Sequence, residues 1–424
     1  MKILILTIGT RGDVQPYVAL GAGLARAGHE VVLCANSAFE SFVTERGLRY
    51  APMTNGLVDL LESHEVRALL ERTTNLFNAI RTGRRLAGRI NPIWQQMVAD
   101  CWSAVQQTEP DVLLFHAKLT PCVHFAEKLG IPAIMAPLVP LFVPTAQAPA
   151  MGFPSLGWGR YNRFTYRVVA LLTNVFGNKM INAWRAANGM SPVGYGFETL
   201  QSQGCMIPVV HALSPAVATI PQDWPSQVIA SGYWFLDADA GWEPPSALVD
   251  FLEAGEPPVY CGFGSMVGLA PERLTQTIIE AFQRTGVRGI LATGWGGLQP
   301  HDLPEQLFVI DKSPHDWLFP RVAAVIHHGG AGTTAAGLRF GRPTLICPLM
   351  VDQPYWGARV HQLGAGVAPI RQRHLTAENL SRALHQLTQD PSLRARASAI
   401  QAQLATEDGI ATAVRFIEQQ VPRR

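Results

Sequence analysis

The stretch MKILILTIGTRGDVQPYVALGAGLARAGHEVVLCAN, residues 1–36, is typical of a strand, a helix and a second strand. MKILILTI is a continuous apolar run, QPYVALGAGLARAG has helical spacing with Pro16 in its first turn and Gly28 at its end, and HEVVLCAN is again apolar. Strands that are apolar throughout are buried on both faces, as in a parallel sheet covered by helices. The turn GTRGD between the first strand and the helix carries two charged residues, Arg11 and Asp13, which a tight corner alone does not require.

The same alternation of strand and helix recurs along the chain and predicts two doubly wound α/β halves. We expect domains at 1–235, with a connection from about 214, and at 236–424, with the last helix (about 407–420) crossing back to the first half. Open parallel sheets bind ligands beyond the carboxyl ends of their strands, so the cleft between the halves is the expected site. The further predicted strands are PDVLLFH (110–116), IPAIMAP (131–137), PPVYCGFGS (257–265), RGILATGW (288–295), QLFVID (306–311), VAAVIHHGG (322–330) and RPTLICP (342–348).

Composition narrows the function classes. The 424 residues are 48% hydrophobic, enough for two or three domains with their own cores. Lys and Arg number 34 against 32 acidic residues, so there is no electrostatic argument for nucleic acid as the partner. The six cysteines form no CxxC pair, which indicates reduced core thiols, and MKILILTI is too short for a targeting segment. These features predict a cytoplasmic protein.

Two segments raise the question of membrane contact. RTGRRLAGRINPIW (81–94) is basic and aromatic, and the helix predicted near 161–186 is too polar to span a bilayer but has amphipathic character. A peripheral contact with acidic lipid is one interpretation. An ordinary solvated helix and loop is the other.

The run GGAGTT (329–334) follows a predicted strand that ends at His327 and His328, and it opens a helix. Small residues at a helix N-terminus leave backbone amides accessible to an anion, and the helix dipole favours negative charge there. The imidazole of His328 and the hydroxyls of Thr333 and Thr334 add donors. The spacing matches neither GxGxxG nor GxxxxGK[ST], so it supports a phosphate site without an NAD or ATP fingerprint. A strand-to-helix corner that needs glycine only for packing is the alternative.

Four further residues extend this site. Asp352 and Gln353 follow the next strand, where an acid and an amide can hold several sugar hydroxyls, although Asp352 alone would be an N-cap. Ser265 lies in the bare loop GFGSMVG and suits a phosphate oxygen. Trp295 can stack on a flat base or fill the core. Phosphate, hydroxyl and base contacts together indicate a nucleotide sugar.

These residues carry a family resemblance. The run HHGGAGTTAAGLRFGRPTLICPLMVDQPYWGARVHQLGAGVAPI (327–370), with SPHDWLF (313–319) and GTRGDVQPYVAL (9–20), resembles the sterol 3β-glucosyltransferases. The resemblance covers nearly the whole second half and the first strand–helix turn, and it is weaker between about 50 and 235. It implies the GT-B fold, in which two Rossmann-like domains face each other across the active-site cleft.

The resemblance also implies residue roles. Asp13 matches the general base, and its position faces the cleft where the acceptor hydroxyl approaches. The donor-binding residues it implies are Ser265, Trp295, His328, Gly330, Ala331, Gly332, Thr333, Asp352 and Gln353. Arg11 and Gly12, beside Asp13, are further candidates for the donor site. The plant small-molecule branch of the class uses a histidine as base and a glutamate for the ribose; the corresponding positions here are Asp13 and Ala336, so the ribose contact must be made elsewhere.

Asp13 has two interpretations from its position alone, helix N-cap or base, and the resemblance favours the base. An ionised carboxylate takes a proton from an alcohol only as the new C–O bond forms, and burial in an apolar pocket is expected to raise its pKa and improve the match. Arg11 has three interpretations: it orients Asp13, it binds a phosphate, or it is a solvated turn residue. His116, which follows DVLLF, also has three interpretations: it lines the acceptor site, it assists Asp13, or it is structural. His124 is expected on the following helix.

The predicted function is inverting transfer of a hexose, glucose from UDP-glucose, to a hydroxyl of an apolar acceptor such as a sterol. The segment 137–159 and the helix after it are expected to shape the acceptor pocket. No metal or cofactor is expected, and the DxD at 237–239 is interpreted as a turn. The alternatives are a dTDP- or UDP-deoxysugar transferase acting on a polyketide, peptide or lipid, a nucleotide-sugar epimerase and a non-catalytic sensor.

Overall fold

The computed structural model describes residues 1–63, 66, 76–140, 142–194, 200–202, 204–238, 241–264, 271–294, 303–349 and 352–421. The chain folds as two compact units. The first comprises Met1–Leu61, Gly83–Leu236 and Asp408–Arg424, and the second comprises Glu62–Thr82 and Asp237–Glu407.

A seven-stranded parallel sheet forms the centre of the first unit, in the order β3-β2-β1-β4-β5-β8-β9. Its strands are apolar on both faces because helices cover both sides. In β1, Leu4 and Leu6 pack into one core cluster while Ile3 and Ile5 pack into the other. The strands are β1 Lys2–Leu6, β2 Glu30–Asn36, β3 Arg49–Met53, β4 Val112–Phe115, β5 Ala133–Met135, β8 Val209–His211 and β9 Val228–Ala230; β6 Gln201–Ser202 and β7 Cys205–Met206 form a separate hairpin.

The helices of the first unit include two long ones and the C-terminal helix. They are α1 Arg11–Arg26, α2 Glu40–Thr44, α3 Gly56–Glu62, α4 Leu76–Thr108, α5 Cys122–Leu129, α6 Gly159–Ala187 and α14 Gly409–Gln420. The last residue of α3 and residues 76–82 of α4 are counted with the second unit. The C-terminal helix α14 packs on α1 at Gly23, where a Cβ would lie 2.2 Å from Cγ2 of Ile410. Glycine at position 23 therefore lets the two helices approach closely.

The second unit is built on a five-stranded parallel sheet in the order β12-β11-β10-β13-β14. Its strands are β10 Val259–Gly262, β11 Gly289–Ala292, β12 Leu307–Ile310, β13 Ala324–His327 and β14 Thr344–Ile346. Its helices are α7 Ser246–Glu253, α8 Pro271–Thr285, α9 His315–Leu318, α10 Ala331–Arg339, α11 Gln353–Gln362, α12 Ala377–Gln389 and α13 Pro391–Leu404. The sheet is buried on both faces by two core clusters.

All predicted strands are present, and the prediction of parallel sheets is confirmed. Helix α1 differs from its prediction because it begins at Arg11 instead of Gln15, so Asp13 lies in its first turn and Thr10 is the N-cap. The interpretation of Asp13 as N-cap is therefore wrong. Five strands were not predicted: β3, β8 and β9 of the large sheet, and β6 and β7 of the hairpin.

The cysteines carry no disulfide. Five are buried as predicted, but Cys205 is exposed on the hairpin, which corrects its placement in the core. Within the described ranges no helix has both the length and the apolar character needed to cross a membrane. The basic segment 81–94 lies within α4, and most of its side chains from 81 to 87 lie outside the described residues.

Candidate active site

The turn after β1 is held in place by polar contacts on both sides. The backbone N–H of Gly9 donates to Oδ1 of Asn36 at 2.9 Å, and the hydroxyl of Thr7 donates to the backbone carbonyl of Asp13 at 2.8 Å. Gly9 has φ +136°, and a Cβ there would lie 2.1 Å from Oδ2 of Asp13. Glycine is therefore required at position 9, and it lets the Asp13 carboxylate fold back over the turn.

Asp13 is the third residue of α1, and its carboxylate caps the start of that helix. Its Oδ2 accepts the backbone N–H of Thr10 at 2.9 Å, an arrangement typical of a capping box. Its Oδ1 points the other way, toward the residues that follow β4. The side chain is 20% exposed.

Two residues after β4 contact Oδ1 of Asp13. Nζ of Lys118 lies 2.7 Å from it and Nε2 of His116 lies 3.4 Å from it. β1 and β4 are neighbours in the sheet, with Leu6 paired to Phe115, so the residues after both strands meet at one edge. The prediction named His116 but missed Lys118, although the sequence HAK places both at this edge.

The ring of His116 has a defined tautomer. Its Nδ1 accepts the backbone N–H of Lys118 at 3.0 Å, so the proton of the neutral ring is on Nε2, which faces Asp13. Burial lowers the pKa of His116 below its ordinary value and outweighs the opposing effect of Asp13. His116 is therefore a neutral donor to the carboxylate at physiological pH.

The electrostatics of Asp13 correct one prediction. Burial raises the pKa of its carboxyl, as expected, but the Lys118 ammonium and the hydrogen bond from His116 outweigh burial, and the net pKa lies below its ordinary value. The expectation of a raised pKa was wrong because it did not include Lys118. Asp13 is thus an ionised carboxylate throughout the physiological range.

Arg11 turns away from Asp13 along α1. Its Nε donates to Oε1 of Gln15 at 3.0 Å, and its guanidinium lies 4.9 Å from the ring centre of Phe42. Gly12 is exposed beside it.

Tyr17, one turn after Asp13, donates its hydroxyl to the carbonyl of Ala136, and its ring packs 5.7 Å from that of His116. This aromatic contact helps to fix the orientation of the His116 imidazole.

In the second unit, the glycine run after β13 forms the start of α10. Gly329 has φ +99°, a conformation that favours glycine, and Gly330 is the N-cap. The first amides of a helix have no partner one turn back, so those of Ala331, Gly332 and Thr333 are directed out of the helix end. Thr334, predicted as a donor, uses its hydroxyl to bond the carbonyl of Gly330 at 2.9 Å and is buried.

The two histidines before this turn are both neutral. Burial lowers the pKa of His328 to about 4, and burial lowers that of the fully buried His327 well below its ordinary value. His327 accepts the backbone N–H of Gly329 on Nδ1 at 3.0 Å and so shapes the turn. A Cβ at Gly330 would lie 2.8 Å from Nε2 of His328, so the imidazole of His328 packs against the bare helix end.

Asp352 and Gln353 follow β14 at the start of α11. Asp352 is the N-cap by position, but its Oδ2 accepts the indole N–H of Trp356 at 2.9 Å and its side chain makes no cap bond. Gln353 is buried, and its Oε1 accepts the backbone N–H of Leu349 at 2.7 Å. The carboxylate is therefore oriented by the buried Trp356, and the glutamine holds the preceding loop.

Two predicted donor residues, Ser265 and Trp295, lie outside the described residues, as does Asp239 of the DxD. The other acid of that motif, Asp237, pairs with Nη1 of Arg339 at 2.6 Å. Among the described residues, no three His, Cys, Asp or Glu side chains are grouped as metal ligands. His124 lies on α5 as predicted, beside the buried Arg185 with its Nδ1 3.0 Å from Nη1, which is a structural contact.

Two domain families match this chain. Residues 3–146 match the glycosyltransferase family 28 N-terminal domain, and residues 297–417 match the C-terminal domain of erythromycin biosynthesis protein CIII-like proteins. The first match includes Asp13 and His116, and the second includes His328 and Asp352.

Curated relatives match over the full length of the chain. Sterol 3-beta-glucosyltransferase UGT80A2 of Arabidopsis thaliana is 35% identical over 440 residues, covering 100% of this chain and 66% of that protein. UGT80B1 of the same plant is 33% identical, covering 100% and 68%. The sterol 3-beta-glucosyltransferase of Neosartorya fischeri is 34% identical over 98% of this chain, but the chain spans only 29% of its length.

Solved structures share the fold. The glycotransferase of kitacinnamycin has a TM-score of 0.73 at 21% identity over 99% of both chains. The calicheamicin glycosyltransferase CalG4 has a TM-score of 0.71 at 16% identity, over 100% of this chain and 98% of that one. The Streptomyces glycosyltransferase SsfS6 in complex with thymidine diphosphate has a TM-score of 0.64 at 21% identity, over 99% of both chains. The predicted GT-B fold class is confirmed, and the chain belongs to the family of sterol 3-beta-glucosyltransferases.

Proposed function

We propose that this protein transfers glucose from UDP-glucose to the hydroxyl of a sterol or a related apolar alcohol, with inversion at the anomeric carbon. The observation that carries the proposal is the ionised carboxylate of Asp13 at the carboxyl end of β1, with Lys118 and His116 on its Oδ1. The curated relatives support it, because they are sterol 3-beta-glucosyltransferases by name.

Asp13 is the proposed general base. The acceptor hydroxyl donates its proton to Oδ1 as its oxygen bonds to the anomeric carbon, and the bond from that carbon to the diphosphate oxygen breaks. A carboxylate of low pKa cannot deprotonate an alcohol beforehand, so proton transfer and C–O bond formation are concerted. General base catalysis of this kind contributes about 10²- to 10⁴-fold.

Lys118 must yield one lone pair of Oδ1 to the acceptor. Its side chain is half-exposed, so water can solvate its ammonium when it moves off Oδ1. Oδ2 stays bound to the N–H of Thr10, which keeps the carboxylate oriented while Oδ1 changes partner. His116 continues to donate from the buried side.

The diphosphate is proposed to bind at the N-terminus of α10. Backbone amides of Ala331, Gly332 and Thr333 and the neutral ring of His328 would donate to its oxygens and stabilise the leaving charge, with no metal ion required. Asp352 and Gln353 are proposed to contact the hexose hydroxyls, and Arg11, Gly12, Ser265 and Trp295 to complete the donor site.

Release of UDP from UDP-glucose, with and without cholesterol or a plant sterol, tests this proposal. We expect acceptor-dependent release with a β-glucoside of the sterol as product, unchanged by EDTA. The competing function is transfer of a deoxysugar from a dTDP donor, which the thymidine diphosphate complex of SsfS6 supports. Turnover of dTDP-sugars but not of UDP-glucose would favour that function, conversion of the sugar without acceptor would favour an epimerase, and binding without turnover would favour a sensor.

A further inference from the structure

The most exposed large apolar side chains of the first unit are concentrated at the start of α6. Over the described residues, five such side chains stand out, and four of them lie between positions 156 and 171. They are Leu156 at 51% exposure, Trp158 at 71%, Phe164 at 59% and Leu171 at 49%. Scattered exposed apolar residues are ordinary, but a cluster that includes a tryptophan marks an interaction surface.

Two arginines and two of these apolar residues form one stripe along the start of α6. Arg160, Phe164, Arg167 and Leu171 recur at three- and four-residue spacing and are all exposed, so they form one outward stripe. Arg163 borders the stripe and pairs with Asp223 at 3.0 Å. Leu156 and Trp158 lie in the segment just before this stripe, with Trp158 as the N-cap of α6. We call the exposed side chains of Leu156, Trp158, Arg160, Phe164, Arg167 and Leu171 at the start of α6 the Trp158 face.

The surrounding sequence has a one-sided charge. Residues 128–197 contain no Asp or Glu, while the basic residues in this range are Lys128, Arg160, Arg163, Arg167, Lys179 and Arg185. Asp223 reaches Arg163 from another segment and reduces the local charge by one. The charge of the Trp158 face is therefore complementary to an anionic surface.

The opposite side of α6 is fixed to the first unit. Asn162 donates its amide N–H to the carbonyl of Ala146 at 2.8 Å, and the hydroxyl of Thr165 accepts the N–H of Ala150 at 2.8 Å. Near the end of the helix, the buried Arg185 bonds both carboxylate oxygens of Glu127, at 2.7 and 3.0 Å. The Trp158 face is consequently an outward surface of a firmly packed helix.

We propose that the Trp158 face docks on an anionic lipid bilayer. Tryptophan and phenylalanine insert at the level of the headgroups, and arginine binds lipid phosphate while its aliphatic stem lies along the apolar zone. The mixture of Trp, Phe and Leu with Arg suits this interface better than an acidic protein, which would match the arginines but not the neighbouring apolar side chains. The proposal goes beyond the proposed function, and binding to lipid requires no donor or turnover.

Sedimentation of the full chain with sucrose-loaded vesicles tests it. We expect binding to vesicles of equal parts phosphatidylglycerol and phosphatidylcholine at low salt, weaker binding as salt is raised and much weaker binding to pure phosphatidylcholine. The double variant Arg160→Gln with Arg167→Gln should bind the anionic vesicles at least about tenfold more weakly, since each arginine near an anionic surface contributes about fivefold. The double variant Trp158→Ser with Phe164→Gln should also bind the anionic vesicles more weakly, because it lacks the two aromatic side chains that insert among the headgroups.

Matched controls separate lipid contact from loss of fold. Serine is a favoured N-cap, the position that Trp158 occupies, and glutamine is a good helix former, so these substitutions preserve α6. Lys179→Gln, farther along α6, and Leu129→Ser, an exposed apolar residue on α5, should bind like the wild type. A circular dichroism spectrum equal to the wild type's checks that each variant is folded.

The following outcomes would overturn the proposal. Wild-type protein that fails to bind anionic vesicles at low salt, or binds them no better than neutral ones, contradicts it. So does equal binding by the wild type and both double variants. Self-association at raised concentration that Trp158→Ser abolishes, without any lipid binding, would instead make this face a contact between copies. Wild-type protein that binds anionic vesicles but transfers no glucose would count against the proposed function and not against lipid docking.

Discussion

Nζ of Lys118 lies 2.7 Å from Oδ1 of Asp13, although the two residues are 105 positions apart in the sequence. The contact exists because β4 adds to the sheet beside β1, which brings the residues after both strands to one edge. It makes the carboxylate an ion-pair partner before any substrate arrives. The proposed base is therefore kept ionised and occupied until the acceptor hydroxyl replaces the ammonium.

Removing this ammonium should change the pH dependence of the reaction. In Lys118→Met, burial acts on Asp13 with less opposition, so the pKa of the carboxyl should rise. Asp13 must be ionised to act as base, so activity is lost as pH falls through its pKa. We expect the acid limb of kcat/KM to move to higher pH in the variant.

The control for this variant is Lys179→Met, which removes an exposed lysine on α6 and should leave the pH profile of the wild type unchanged. An acid limb at the same pH in Lys118→Met and the wild type would show that the ion pair does not govern Asp13.

His116 is expected to be a positioning residue. His116→Ala removes the Nε2–H donor to Asp13 and the acceptor for the N–H of Lys118, so the carboxylate loses one fixed partner. We expect kcat to fall about tenfold with little change in KM for the donor, in line with the loss of one hydrogen bond to a charged group. His116→Gln, which retains an N–H donor, should recover part of the rate; equal kcat for the alanine and glutamine variants would argue for a packing role only.

Gly330→Ala tests the phosphate site. Gly330 has φ −61°, which alanine adopts freely, but its Cβ would lie 2.8 Å from Nε2 of His328 and displace the ring. We expect weaker binding of UDP by roughly tenfold, about the value of one hydrogen bond to a charged group. Titration calorimetry with UDP measures this directly. Gly177→Ala, where a Cβ meets nothing within 4 Å, is the matched control, and equal UDP affinity in Gly330→Ala would contradict the role of His328.

The junction of the C-terminal helix should be sensitive to one methyl group. A Cβ at Gly409 would lie 2.4 Å from the carbonyl oxygen of Tyr233 and 2.6 Å from the carbonyl carbon of Gly232, both backbone atoms that cannot turn aside. Gly409→Ala should lower the free energy of unfolding by about 1–3 kcal/mol, the usual cost of overpacking. Urea unfolding measures it, with Gly177→Ala expected to be neutral or slightly stabilising; an unchanged midpoint would show that α14 adjusts freely.

The sequence predicted the features that depend on local patterns. Long apolar runs such as MKILILTI and VAAVIH became β1 and β13, and the glycine run after His328 became the start of α10. The strands β8 and β9 were not predicted, although β5 has the same length of three residues. The start of α1 was misplaced although Thr10 and Asp13 have the spacing of a capping box, a signal that was present in the sequence.

The electrostatics of the site could not be predicted in the same way. The pKa of Asp13 depends on Lys118, and their contact depends on the order of strands in the sheet, which no local pattern specifies. Likewise, the hydrogen bond from the indole N–H of Trp356 to Oδ2 of Asp352, the N-cap of α11, was not predicted.

The most direct test of the central claim is the rate of sterol glucoside formation from UDP-glucose by Asp13→Asn and the wild type, measured side by side. Asparagine keeps the oxygen that caps α1 but cannot accept the proton, so the variant should fold normally and bind UDP with unchanged affinity. We predict a fall in kcat of about 10²- to 10⁴-fold. A variant that binds UDP normally and retains kcat within a few-fold of the wild type would contradict Asp13 as the general base.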